Sequence, residues 1–86
     1  MARGNIDLHQ RIEITSRRST REKLMAYLTL FAKKQGSREF DIPFDRQELA
    51  DYLEVERSGL SAEISKLRAE GVLESNKRHF ILYDQR

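Results

Sequence analysis

Between positions 57 and 65 the chain carries Arg57, Ser58, Ser61, Ala62 and Ser65. At about 100° per residue a helix would hold all five on one side, with Leu60 and Leu67 behind them. The resulting ridge is slim, made of small or hydrogen-bonding groups, and suits a helix that lies deep in the major groove of a duplex. Arg57 at its N-terminal end has the reach and the fork geometry to hold guanine O6 and N7. A helix face meant only for water would more often pair Glu with Lys at four-residue spacing. The competing reading of Arg57 is a plain surface charge. Arg57, Ser58, Ser61 and Ala62 are therefore the expected base contacts. Ser65 on the same side, Arg46 in the first turn of the preceding helix, and Lys77 and Arg78 further on are the expected phosphate contacts.

Other chemistry is poorly supported. No cysteine is present, which removes disulfides, thiolate catalysis and cysteine-ligated zinc. His9 and His79 lie far apart, in no metal-binding spacing, so no catalytic or metal residue is expected. Asp41 and Asp45 could be named as a carboxylate pair, but no phosphate loop, activated nucleophile or ligand cluster accompanies them. Non-enzymatic function is the expectation, with no cofactor in this stretch. Charged residues make up 35% of the 86 residues with both signs mixed, and the formal net charge is only +2. That mild basic bias does not by itself establish nucleic-acid binding. There is no long apolar run and no leader pattern, so a soluble, cytoplasmic protein with no membrane partner is expected.

The elements that must position the ridge follow from capping and periodicity. Residues 5–15 place Leu8 and Ile12 four apart, as on one helical face, in a stretch too short to be a stable helix alone. It reads as the end of something longer, and Ser16–Ser19 reads as a hinge. Ser19 with Glu22 resembles a capping box, and Leu24, Tyr27, Leu28 and Phe31 repeat at three- and four-residue spacing up to a stop at Gly36. Residues 40–44 alternate and contain the only proline, which predicts a short edge strand. Asp45 with Glu48 opens a second helix carrying Leu49, Ala50 and Leu53, interrupted at residues 54–56. A third helix runs from Arg57 to about Ala69 on Leu60, Ile64 and Leu67, and Gly71 stops it. Residues 72–75 and 79–83 then form a hairpin with Asn76, Lys77 and Arg78 at its tip.

The order helix, short strand, helix, tight turn, helix, hairpin is the layout of a winged helix-turn-helix. The fold class predicted is α+β: a three-helix core, a short strand and a C-terminal β-hairpin wing. Ala50 supplies the small residue where two steeply crossed helices approach, and Leu49, Leu53, Val55 and Leu60 fill the wedge between them. Any helical hairpin uses such residues, and a winged helix can also serve protein–protein interaction without touching DNA. The modest net charge is the best support for that alternative.

Four stretches carry a resemblance to a known family: Arg21–Leu24 with Tyr27 and Leu28; Ile42–Leu53; Arg57–Leu67; and Glu70–Leu73. In this order, over roughly residues 17–83, they resemble the DNA-binding domain of Crp/Fnr transcription regulators. The resemblance implies a bacterial, cytoplasmic regulator that binds a palindromic promoter site as a homodimer. It further implies that the recognition helix, residues 57–69, lies in the major groove and that RNA polymerase is a further partner. It implies that residues 1–17 are the remnant of a dimerisation helix and its hinge, and that 18–86 form the winged domain of a longer protein. The effector sensed by that longer protein is not encoded here. Arg57 matches the family's recognition arginine, and Arg46 a position that contacts phosphate. Two departures stand out. Many members carry arginine where this chain has Ala62, and the family often places glycine where this chain has Glu54. A left-handed backbone at Glu54 would cost about 1–2 kcal/mol.

Overall fold

In the computed structural model, residues 6–83 are described; residues 1–5 of the expected leading segment and 84–86 of the expected winged domain lie outside the described residues. The longest helix, α2 (Thr20–Gln35), starts at Ser19, whose side chain accepts from the Glu22 backbone N–H. The expected reciprocal half of that box is not made: Glu22 Oε1 accepts instead from the Arg18 N–H at 3.4 Å, one residue earlier. Leu24, Tyr27, Leu28 and Phe31 are buried as their spacing requires. Before α2, a short helix α1 (Leu8–Thr15) is held by a complete box between Asp7 and Gln10, and it packs Ile14 into the core. Leu8 and Ile12 do share a face, but it points to solvent, 69% and 55% exposed.

The two following helices are α3 (Arg46–Leu53) and α4 (Arg57–Ala69). α3 is opened by the reciprocal Asp45–Glu48 box, with both hydrogen bonds at 2.8 Å. Leu49, Ala50, Leu53 and Leu60 are fully buried where the helices cross, while Val55 is only partly buried and lines the rim of that wedge. Three of the helices end in the same way. Gly36, Glu54 and Gly71 each take a left-handed φ (72°, 62° and 77°). The next N–H then reaches back to a carbonyl in the last turn: Ser37 to Ala32, Val55 to Ala50, Val72 to Leu67. Glu54 is the single non-glycine residue among these closures.

Three antiparallel strands complete the α+β fold: β1 (Glu39–Asp41), β2 (Leu73–Asn76) and β3 (His79–Leu82), in the order β1-β3-β2. β1 is an edge strand, as predicted, but it ends before Pro43 because proline has no N–H for the ladder. The Ile42 N–H still bonds the Arg78 carbonyl at 2.9 Å. Asn76 pairs with His79, so the hairpin turn is two residues, Lys77 and Arg78, rather than three. Phe40 and Phe80, opposite each other in the β1–β3 register, turn inward and join the helical leucines in one core. This is the architecture of a winged helix-turn-helix.

Candidate nucleic-acid interface

Arg57, Ser58, Ser61, Ala62 and Ser65 all lie exposed on α4, while Leu60 and Leu67 on its other side are fully buried. The ridge is neither packed inward nor covered by the hairpin. Glu56 precedes α4 without a side-chain cap. The N–H groups of the first turn therefore lack a side-chain acceptor, at the end where the helix dipole favours anions. The N-terminus of α3 differs, because its capping box already engages the Asp45 and Glu48 amides.

Arg46 is less free than its position in the sequence suggests. Its guanidinium lies 5.7 Å from the Phe80 ring centroid and its Nη2 donates to Ser75 Oγ at 3.4 Å. One side chain thus ties the start of α3 to both strands of the wing, and a planar cation on an aromatic face is well suited to this. Burial first, and the neighbouring Arg57 charge second, hold Arg46 below the ordinary arginine pKa. A guanidinium whose charge is disfavoured by burial and by a second one nearby marks a locus where an anion is welcome. Asp45, Arg46, Lys77 and Arg78 line a hollow of about 290 Å³ between the start of α3 and the wing tip. Lys77 is exposed at the turn with φ 59°. Arg78 is exposed but sits 4.0 Å from Glu48, a contact that a phosphate can readily replace. The structure therefore brings Arg46, Lys77 and Arg78 around one hollow, with Arg57 close enough to Arg46 to perturb it. Ser58, Ser61, Ala62 and Ser65 stand along the α4 ridge.

Three side-chain arrangements could not be seen in the sequence. Arg11 of α1 donates from Nη2 to the Tyr52 carbonyl at 3.2 Å and lies 4.8 Å over the Tyr52 ring. It thereby serves an otherwise orphan acceptor at the end of α3. Arg21 of α2 forks onto Glu70, just past α4. His79 on β3 donates from Nδ1 to Asp41 at 2.6 Å and from Nε2 to Glu39 at 2.8 Å, both across the ladder on β1. Carboxylates are acceptors only, so both ring nitrogens must carry protons for both bonds to form. The Asp41 bond first and the Glu39 bond second raise the His79 pKa. The only trace of these pairs in the sequence is residue type, since the partners are tens of residues apart.

Among the described residues no group of three or more His, Cys, Asp or Glu side chains is placed to hold a metal ion, and no helix is long and apolar enough to cross a membrane. Compared with known proteins, residues 22–86 match the Crp-like helix-turn-helix domain. The transcriptional activator protein FnrL of Cereibacter sphaeroides is 32% identical, over 83% of this chain and 33% of that protein. The chain thus spans about a third of the length of this curated relative. The family is one of transcription regulators and not an enzyme class. With the ridge, the wing and the three-helix core arranged as described, this chain belongs to the Crp-like helix-turn-helix domains, the DNA-binding part of Crp/Fnr transcription regulators.

Proposed function

We infer that the domain binds double-stranded DNA sequence-specifically, with α4 in the major groove and the wing tip on the adjacent backbone. The observation that carries this reading is the α4 ridge, fully open on one side and anchored by fully buried Leu60 and Leu67 on the other. Arg57 takes a guanine edge. Ser58 and Ser61 hydrogen-bond neighbouring base edges, and Ala62 offers a methyl group that suits a thymine methyl. Ser65, Arg46, Lys77 and Arg78 hold phosphates and set the register. The regulator containing this domain is a cytoplasmic bacterial protein that works as a homodimer on a palindromic promoter site, in the presence of RNA polymerase. In that regulator residues 1–17 belong to the dimerising segment and its hinge, with α1 as a separately capped helix within it, and residues 18–86 to the winged domain. The solvent-facing Leu8 and Ile12 of α1 support the dimer, since a symmetric partner helix would cover them.

The test is a selection of duplexes from a randomised double-stranded pool, followed by affinities across a salt series. Each phosphate neutralised contributes a slope of about −0.9 in log K against log salt. Lys77→Ala is expected to flatten that slope by about one unit and leave base preference intact. Arg57→Ala is expected to relax discrimination at a single base pair by roughly 1–3 kcal/mol. Equal weakening of every sequence by Arg57→Ala would remove that residue from a base edge. Amide shifts on duplex addition that avoid α4 and the wing altogether would favour a protein-interaction role.

A further inference from the structure

The geometry points to Arg21 as a positioning residue that fixes the roll of α4 about its own axis, and through it the sequence discrimination of the ridge. This rests on the DNA-binding reading given above. Arg21 stands in the first turn of α2 and presents a planar fork to the α4 region. Its Nη1 donates to Glu70 Oε2 at 3.1 Å and its Nη2 to Glu70 Oε1 at 2.6 Å, while Nη1 also lies 3.7 Å from Glu63 Oε2. Glu63 and Glu70 are seven residues apart, so they lie within about 20° of one line along the helix. At about 100° per residue that line is roughly 150° around from the centre of the Arg57–Ser65 ridge.

Glu63 gives the clamp its second hold. Its side chain is only 15% exposed, and its Oε2 is buried without a hydrogen bond. A carboxylate in that position gains little stability over an apolar group of similar size and needs cations nearby: Arg21 lies 3.7 Å from its Oε2, and Lys66 of α4 itself 4.0 Å from its Oε1. Leu60, Ile64 and Leu67 set how deep α4 sits and hold its coarse orientation by close packing. The Arg21 fork, 41% exposed against a 45% exposed Glu70, adds a directional constraint on the last few degrees of roll. With side chains reaching about 5–6 Å from a helix axis, a roll of about 10° displaces ridge groups by about 1 Å. That displacement carries a hydrogen bond from good geometry to none. Phosphate contacts from the wing tip are not moved by such a roll.

Arg21→Lys tests this, because it keeps the charge and removes the fork. Using duplexes selected by the wild type and unrelated duplexes at matched salt, the ratio of specific to non-specific affinity is expected to fall roughly three- to tenfold. Non-specific affinity should change less than about twofold, since the net charge is unaltered. Glu70→Gln should lower the ratio in the same way, and the double variant should add little to either. A merely stabilising role would lower the melting temperature and leave the ratio of the folded protein unchanged, which would overturn the proposal. The free protein provides a second, DNA-independent reading. Nuclear Overhauser contacts between α4 and α2 must shift in Arg21→Lys, and unchanged contacts would sink the clamp whatever the DNA result. If those contacts shift but the wild type selects no duplex, the clamp stands and it is the DNA-binding reading that falls.

Discussion

Replacing Glu54 by glycine should stabilise this domain, although it removes a side chain and an ion pair. Glu54 closes α3 with φ 62° and ψ 46°, in a position that Gly36 and Gly71 fill at the ends of α2 and α4. For a residue with a Cβ this backbone costs about 1–2 kcal/mol, which glycine avoids. Glycine in turn gives the unfolded chain more freedom, a loss of about 0.5–1 kcal/mol. The Arg11 contact to Glu54 is 3.9 Å long, with side chains 38% and 62% exposed, and such pairs contribute about 0–0.5 kcal/mol once solvent screens them. The net gain is about 0.5 kcal/mol, which for a domain of this size raises the melting temperature by roughly 2–4 °C. Glu54→Ala is the matched control: it loses the same ion pair and keeps the strained backbone. Thermal melts followed by far-ultraviolet circular dichroism should therefore rank glycine above wild type and alanine below it. If Glu54→Gly proves no more stable than Glu54→Ala, the left-handed turn is not a source of strain and the reasoning fails.

Two further perturbations follow from the same geometry. The His79 pKa is raised by its bonds to Asp41 and Glu39, so its stabilising contribution is fully present below the ordinary histidine value of 6.5 and is lost as pH rises through the raised value. Melting temperatures should fall over that window in the wild type and less so in His79→Gln; parallel curves would show that the β1–β3 bridge does not titrate. Asp45→Ala should act in opposite directions on folding and binding. Loss of the α3 capping box lowers stability by about 1 kcal/mol in urea denaturation. Removing a negative charge from the hollow shared with Arg46, Lys77 and Arg78 strengthens duplex binding, measurable as a lower Kd at matched salt.

Much of this molecule was legible from short-range patterns. Asp45 with Glu48 marks the start of α3, Gly36 and Gly71 mark helix ends, and Leu60, Ile64 and Leu67 mark the buried side of α4. The turn position where the family often has glycine is left-handed here too, with Glu54 in it. Such features depend on neighbours within about one helical turn, which the order of residues displays directly. The misreadings fall where a neighbour of another kind intervened: Glu22 caps Arg18 rather than Ser19, β1 stops short of Pro43, and Asn76 joins the ladder rather than the turn.

The order of residues determined most of the elements, the α3 capping box and the side of α4 left without leucines, because those depend on spacing alone. It could not determine that Arg46 lies on Phe80, that Arg21 grips Glu70, or that His79 bridges Glu39 and Asp41. Those partners stand 38 to 49 residues apart for the His79 and Arg21 pairs. A charged side chain many residues from its partner chooses it only after the apolar core has set which surfaces meet. Core burial is non-directional and sets first which surfaces meet; the directional hydrogen bonds then form between groups brought within about 3 Å and set the finer orientation.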